Sequence, residues 1–362
     1  MTHDILKSLV ETARREIVRR LSKFGIFAAA ILPVCGLFIF AQTTRTPPPA
    51  SSFSDERVNI EPRVKPPAAQ PENQAGQNGR NAPTIRTEST LVLINVTVTD
   101  PSNRFVTGLE KEHFKLFEDK LEQKITQFSS EDAPLSVGLV FDCSGSMGAK
   151  LQKSRQAATQ FFKTANPEDE FFLIEFNDRP EMIADFTTNT EDIQNRLTFT
   201  QAKGRTALLD GLYMAMKQMK KAHNPRKAIL IISDGGDNNS RYTENEIKKL
   251  VREADVQVYA IGIYESGAGR GRTPEESSGP GLLTELSEQT GGHQFAVDNI
   301  NELPDVAAKI GIELRNQYLL GYTPSNAEKD GKYRRVKVTL KQPHGLPPLK
   351  ATYRLGYYAP VQ

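Results

Sequence analysis

Residues 137–148 read Val-Gly-Leu-Val-Phe-Asp-Cys-Ser-Gly-Ser-Met-Gly, an apolar run ending in Asp142-x-Ser144-x-Ser146. Apolar residues without polar alternation predict a strand buried on both faces. A helical face follows at Leu151, Ala158, Phe161, Phe162 and Ala165. One carboxylate and two hydroxyls therefore fall on the turn between a buried strand and a helix, where open α/β sheets build their sites. Hard oxygens crowded there suit Mg²⁺ or a similar cation. Ser, Gly and Asp are also ordinary turn residues, so the pentad alone leaves a plain strand-to-helix turn open.

Two later segments add to it. Residues 204–210, Gly-Arg-Thr-Ala-Leu-Leu-Asp, offer the Thr206 hydroxyl at the start of a helix whose apolar face is Leu208, Leu209, Leu212, Met216 and Met219. Residues 229–235 end a second buried strand in Asp234. Ser144, Ser146 and Thr206 would supply neutral oxygens, and Asp142 and Asp234 charge, directly or through water. Mg²⁺ takes six oxygens and keeps waters where the protein offers too few, so a coordination position stays open.

Together the three segments resemble the metal-ion-dependent adhesion site (MIDAS) of the von Willebrand factor type A (VWA) domain. Asp142, Ser144, Ser146, Thr206 and Asp234 fall on its five positions. The resemblance implies an α/β fold with a doubly wound, mostly parallel, Rossmann-like sheet. It also implies an adhesion or protein-binding module in which a cation, Mg²⁺ with Mn²⁺ or Ca²⁺ as alternatives, captures an Asp or Glu carboxylate of a partner protein. Residues 91–100 with 105–109, residues 234–238 and the ending 355–360 further resemble the VWFA-related domain of acidobacterial exported proteins.

The remaining pattern is consistent with this. Further strands are expected at residues 171–176, 182–186 and 256–263, a capping box at Thr243 to Glu246 opens a helix, and Leu303, Val306, Ala307, Ile310 and Leu314 mark the last one. Residues 92–98 alternate as a strand, residues 113–118 and 121–128 read as a hairpin joined at Asp119 and Lys120, and residues 317–322, 333–340 and 349–358 have the same character. Neither set of strands is sufficient alone, so the two ends of the chain should combine into a small β-sandwich with the α/β domain inserted between them. The last helix passes almost directly into residues 317–322, so its axial movement would pull on the sandwich.

The chain has 362 residues, 38% hydrophobic and 25% charged, with a formal charge of +2. A near-neutral body carries no electrostatic footprint for nucleic acid. Residues 1–23 hold Lys7, Arg14, Arg15, Arg19, Arg20 and Lys23, and residues 24–41 are uncharged. Basic followed by apolar predicts export to a periplasmic or extracellular location, through a cleaved signal peptide or an uncleaved inner-membrane anchor. The organisation expected is residues 1–41 as signal or anchor, 42–86 as a Pro-rich disordered tether, 87–134 as the first part of the sandwich, 135–315 as the VWA domain and 316–362 as the rest of the sandwich.

Two other classes compete with adhesion. A metal-assisted hydrolase needs a general base, but His3, His113, His223, His293 and His344 are scattered, and neither His-Glu-x-x-His nor Gly-x-Ser-x-Gly occurs. A metal-independent envelope scaffold would use the fold alone. Cys143, between two proposed ligands, reads as a small buried side chain rather than a nucleophile. The Gly-rich residues 267–272 lack the ending and the helix start of a phosphate loop, and read as surface loop.

Overall fold

The computed structural model describes residues 91–130, 132–264, 274–343 and 345–361. The expected signal or anchor, the tether and the Gly-rich segment 267–272 lie outside the described residues. Among the described residues, no helix is long and apolar enough to cross a membrane.

The chain begins with β1 (Val92–Thr99), β2 (Phe114–Glu118), β3 (Leu121–Gln123) and β4 (Ile125–Ser129). Asp119 and Lys120, between β2 and β3, both take positive φ, 44° and 76°, as two-residue hairpin turns demand. The α/β part follows as β5 (Leu135–Asp142), α1 (Leu151–Phe162), β6 (Glu170–Phe176), β7 (Pro180–Thr187), α2 (Thr190–Thr198), α3 (Leu208–Met219), β8 (Arg226–Ser233), α4 (Glu244–Glu253), β9 (Gln257–Ile263), α5 (Pro274–Thr290), β10 (Gln294–Val297) and α6 (Leu303–Arg315). It closes with β11 (Tyr318–Tyr322), β12 (Tyr333–Leu340), β13 (Lys350–Tyr353) and β14 (Gly356–Tyr358).

The central sheet runs β10-β9-β8-β5-β6-β7. All its pairs are parallel except β6 with β7, an antiparallel edge. β5 is buried along its whole length, as its unbroken apolar run predicts. Helices cover both faces: Leu151, Phe161, Leu303, Ile310 and Leu314 of α1 and α6 pack on one, and Leu208, Leu212, Ile247, Val251 and Leu283 of α3, α4 and α5 on the other. From β5 the chain moves to β6 and β7 on one side, then returns to β8 on the other. The crevice at the carboxyl ends of β5 and β8 is therefore the topological switch point.

The flanking segments form two four-stranded sheets, β13-β1-β11-β4 and β14-β12-β2-β3, around one shared core that includes Ile94, Val96, Leu116, Tyr318, Leu320 and Val338. Two strands read as continuous in the sequence each split between the sheets. Residues 121–128 divide at Lys124, β3 pairing with β2 and β4 with β11, while residues 349–358 divide into β13 on β1 and β14 on β12. These crossings turn corners of the sandwich, and hydrophobic alternation carries no information about which sheet a strand joins. Helices α2 and α5 and strand β10 have no counterpart in the sequence reading. α2 is short and starts from Asn189, whose side chain accepts from Glu191 N and Asp192 N. α5 contains Pro280, with Gly279 and Gly281 beside it, which masks its helical pattern.

Candidate metal centre

Register places Phe141 opposite Ile232, so Asp142 and Ser233 end neighbouring parallel strands together. Asp142 is fully buried. Its Oδ1 accepts the Ser144 N–H at 2.8 Å and its Oδ2 accepts the Ser233 hydroxyl at 2.6 Å. These two contacts orient the carboxylate. Beside it the Ser144 and Ser146 hydroxyl oxygens stand 3.1 Å apart, on a loop that makes a 3-10 turn over Gly145–Met147. Ser144 is buried and Ser146 exposed, so the pair reaches from the sheet end to the surface.

Thr206 is brought in by backbone. Lys203 N donates to Cys143 O at 2.9 Å and Gly145 N to Gly204 O at 3.0 Å, which straps the Thr206 loop onto the serine loop. On its other side Thr206 N donates to Asn238 Oδ1 at 3.0 Å, while Thr206 O accepts from Asn238 N and Asn239 N. A third tie runs from Arg205 N to Asp178 Oδ1 at 2.9 Å. Gly204 takes φ +77°, and a Cβ there would sit 2.5 Å from the Asp178 carboxylate, so the strap needs glycine.

Asp234 follows β8 and is 5% exposed. Its Oδ2 accepts from Lys150 Nζ at 3.1 Å, and its Oδ1 is buried with no hydrogen-bond partner among the described residues. Gly235 behind it adopts φ +81°, and a Cβ would meet the Gly279 backbone at 3.0 Å, so α5 packs directly against the turn that presents Asp234. Asp237 holds the next loop, accepting Leu209 N and the Ser240 hydroxyl.

The electrostatics are those of a site short of positive charge. Burial, and then the charge of Asp234, push the Asp142 carboxyl up to about 7, against hydrogen bonds from Ser144 and Ser233 that pull it down. Burial also raises the Cys143 thiol to about 12, helped by Glu175 and Asp142, and its Sγ lies 3.3 Å from the Phe176 carbonyl. A thiol so held is a packing group, not a nucleophile.

The loops that carry the five expected residues thus meet at the carboxyl ends of β5 and β8: the Thr206 loop is strapped to the serine loop, and Asp234 lies within electrostatic reach of Asp142. Among the described residues no three or more His, Cys, Asp or Glu side chains are grouped so that they could hold a metal ion by themselves. Any cation here must be held by hydroxyls and two carboxylates, a hard-oxygen set that suits Mg²⁺ or Mn²⁺. A buried carboxylate oxygen without a donor, beside a second carboxylate resisting ionisation, is an arrangement that a cation would relieve. The sequence alone did not point to the groups that position the expected residues, Ser233, Asn238 and Asp178, nor to Lys150. Lys150 does carry a signal: it is the N-cap of α1, whose first turn holds no acid, and a cation there opposes the helix dipole.

A family model for the von Willebrand factor type A domain matches residues 137–236. An uncharacterized protein of Borreliella burgdorferi is 23% identical over 216 residues, 51% of this chain and 63% of that one. Inter-alpha-trypsin inhibitor heavy chain H4 of Bos taurus is 29% identical over 134 residues, 33% of this chain but 15% of the relative. The chain thus spans less than two thirds of these relatives. Among solved structures, a von Willebrand factor type A protein of Catenulispora acidiphila superposes with TM-score 0.44 at 12% identity, covering 76% of this chain and 75% of that one. BatB of Bacteroides thetaiotaomicron gives 0.40 at 19%, covering 50% and 98%. The family match over residues 137–236 and the doubly wound sheet that contains them thus give this chain a von Willebrand factor type A domain.

Proposed function

We propose that the chain is an exported protein-binding module whose VWA domain holds a divalent cation at Asp142, Ser144, Ser146, Thr206 and Asp234 and uses it to capture an acidic side chain of a partner protein. The observation carrying this reading is the Asp142–Asp234 pair: two buried carboxylates at the switch point, one pushed up to about 7, the other with a buried oxygen lacking a donor. The bound cation would supply positive charge and an open coordination position. The chain's own groups do the rest: Asp142 and Asp234 provide charge, the serines and Thr206 provide neutral oxygens, and Ser233 and Asn238 hold the carboxylate and the threonine loop in place. With most of the ligand set neutral, a cation keeps net charge toward the surface, where a carboxylate can replace a water. Export rests on the basic and apolar order of residues 1–41.

Isothermal titration with MgCl₂ or MnCl₂ tests the site: the wild type should bind one ion and Asp142→Ala none. A pull-down from envelope extract in Mg²⁺ and in EDTA tests the partner, which should elute with EDTA. No heat in the wild type would sink the proposal, and a partner retained equally in EDTA would favour the metal-independent scaffold.

A further inference from the structure

Lys150 sits where a helix disfavours it. It precedes Leu151 at the N-cap of α1, where the unpaired N–H groups already present partial positive charge, and no side chain caps that end. Its ammonium turns into the crevice instead, 3.1 Å from Asp234 Oδ2, with 16% of the lysine side chain and 6% of the aspartate exposed. One aspartate oxygen is therefore taken by a cation that belongs to the chain, while the other is buried with no donor. A flexible four-carbon stem separates the ammonium from the backbone, and the lysine is part-exposed, so the head can leave without moving α1.

We propose that Lys150 is a tethered competitor for the site: its ammonium balances Asp234 until a divalent cation enters, then swings out to solvent, and the lost ion pair lowers the affinity for the ion. This rests on the metal reading and adds regulation to it. A dication and an ammonium on one carboxylate repel each other, and the mobile partner yields. Affinity is then set by a difference between two ion pairs, which favours a reversibly loaded site over a permanent one. The lysine also spares the folded chain a second uncompensated buried charge.

Two measurements on the full chain test this. Titration of MgCl₂ into Lys150→Met should show about tenfold tighter binding than the wild type, the equivalent of one charge-assisted hydrogen bond no longer broken, together with a lower melting temperature in EDTA. Lys150→Arg, which keeps the charge, should restore binding to near the wild-type value. The second measurement needs no variant: under a limiting dose of an acetylating reagent, Lys150 should be modified faster in Mg²⁺ than in EDTA, while the exposed Lys220 is unchanged. Wild-type binding with Lys150→Met no tighter, or with Lys150 modified at the same rate in both buffers, overturns this inference alone. No wild-type binding overturns the metal reading and this inference with it.

Discussion

At the amino ends of the central strands, Arg315 bridges Asp132 and Asp169 and also donates to Thr164 O at 2.6 Å. Arg226 donates to Leu314 O and Gln317, and Glu313 Oε1 accepts from Tyr259 at 3.1 Å and contacts His293 Nδ1 at 2.7 Å. At the carboxyl ends, Asp142 is pushed up to about 7 and Asp234 keeps one oxygen without a donor. Both ends bury charge. At the first, each carboxylate meets donors, and the network ties the α/β sheet through the last turn of α6 and Gln317 to Thr97 of the sandwich. At the second, the folded chain leaves an electrostatic deficit. A satisfied network holds parts together, whereas an unsatisfied one is open to something from outside. An axial slide of α6, which its short connection to β11 would transmit, has to break the Arg315 pairs.

The comparison can be broken at either end. Arg315→Ala should have the largest effect, since it leaves Asp169 buried with one donor removed; a loss of about 3–5 kcal/mol in urea unfolding is expected, with Mg²⁺ affinity unchanged. A loss below 1 kcal/mol would mean that the amino-end network is decorative.

Asp142→Asn should act in the opposite direction in EDTA. The folded chain holds the Asp142 proton up to about pH 7 while the unfolded chain releases it near 3.8, so the wild type loses stability as pH rises between those values. The cost is up to about 4 kcal/mol above pH 7 and vanishes below pH 4. Melting curves in EDTA should show the variant more stable than the wild type at pH 8 and equal at pH 4, while titration shows no ion binding. Parallel pH profiles would remove the electrostatic deficit from the argument.

Asn238→Ala sharpens the contrast with the smallest change. It strips the acceptor from the Thr206 N–H and loosens one of several ties on that loop. A stability loss of about 1–2 kcal/mol and several-fold weaker Mg²⁺ binding should follow, read by urea unfolding and by calorimetry. Unchanged ion affinity would show that Thr206 is held well enough by its other ties.

The α/β part was legible because its signals are local. An unbroken apolar run such as that of β5 says buried strand, the 3.6-residue periodicity after it says helix, and Asp142, Ser144 and Ser146 stand within one turn of each other. The sandwich was legible only as strands. At Lys124, and again between β13 and β14, the chain passes to the other sheet, and a period of two is the same on either side of that crossing. α5 was lost because Pro280 and its neighbouring glycines mimic a loop; the need for one of them, Gly279, lies in its close approach to Gly235 across the fold.

The sequence by itself determined which oxygens are available and on which kind of turn each sits, because strand ends and helix starts follow from hydrophobic period and local chemistry. Only the tertiary structure decided that Lys150 faces Asp234, that Asn238 holds Thr206, and that the sandwich joins at the sheet's amino ends, leaving the carboxyl ends clear. Those are contacts between residues 32 to more than 200 positions apart, set by strand order and loop packing, and no local pattern encodes which loop a side chain will meet.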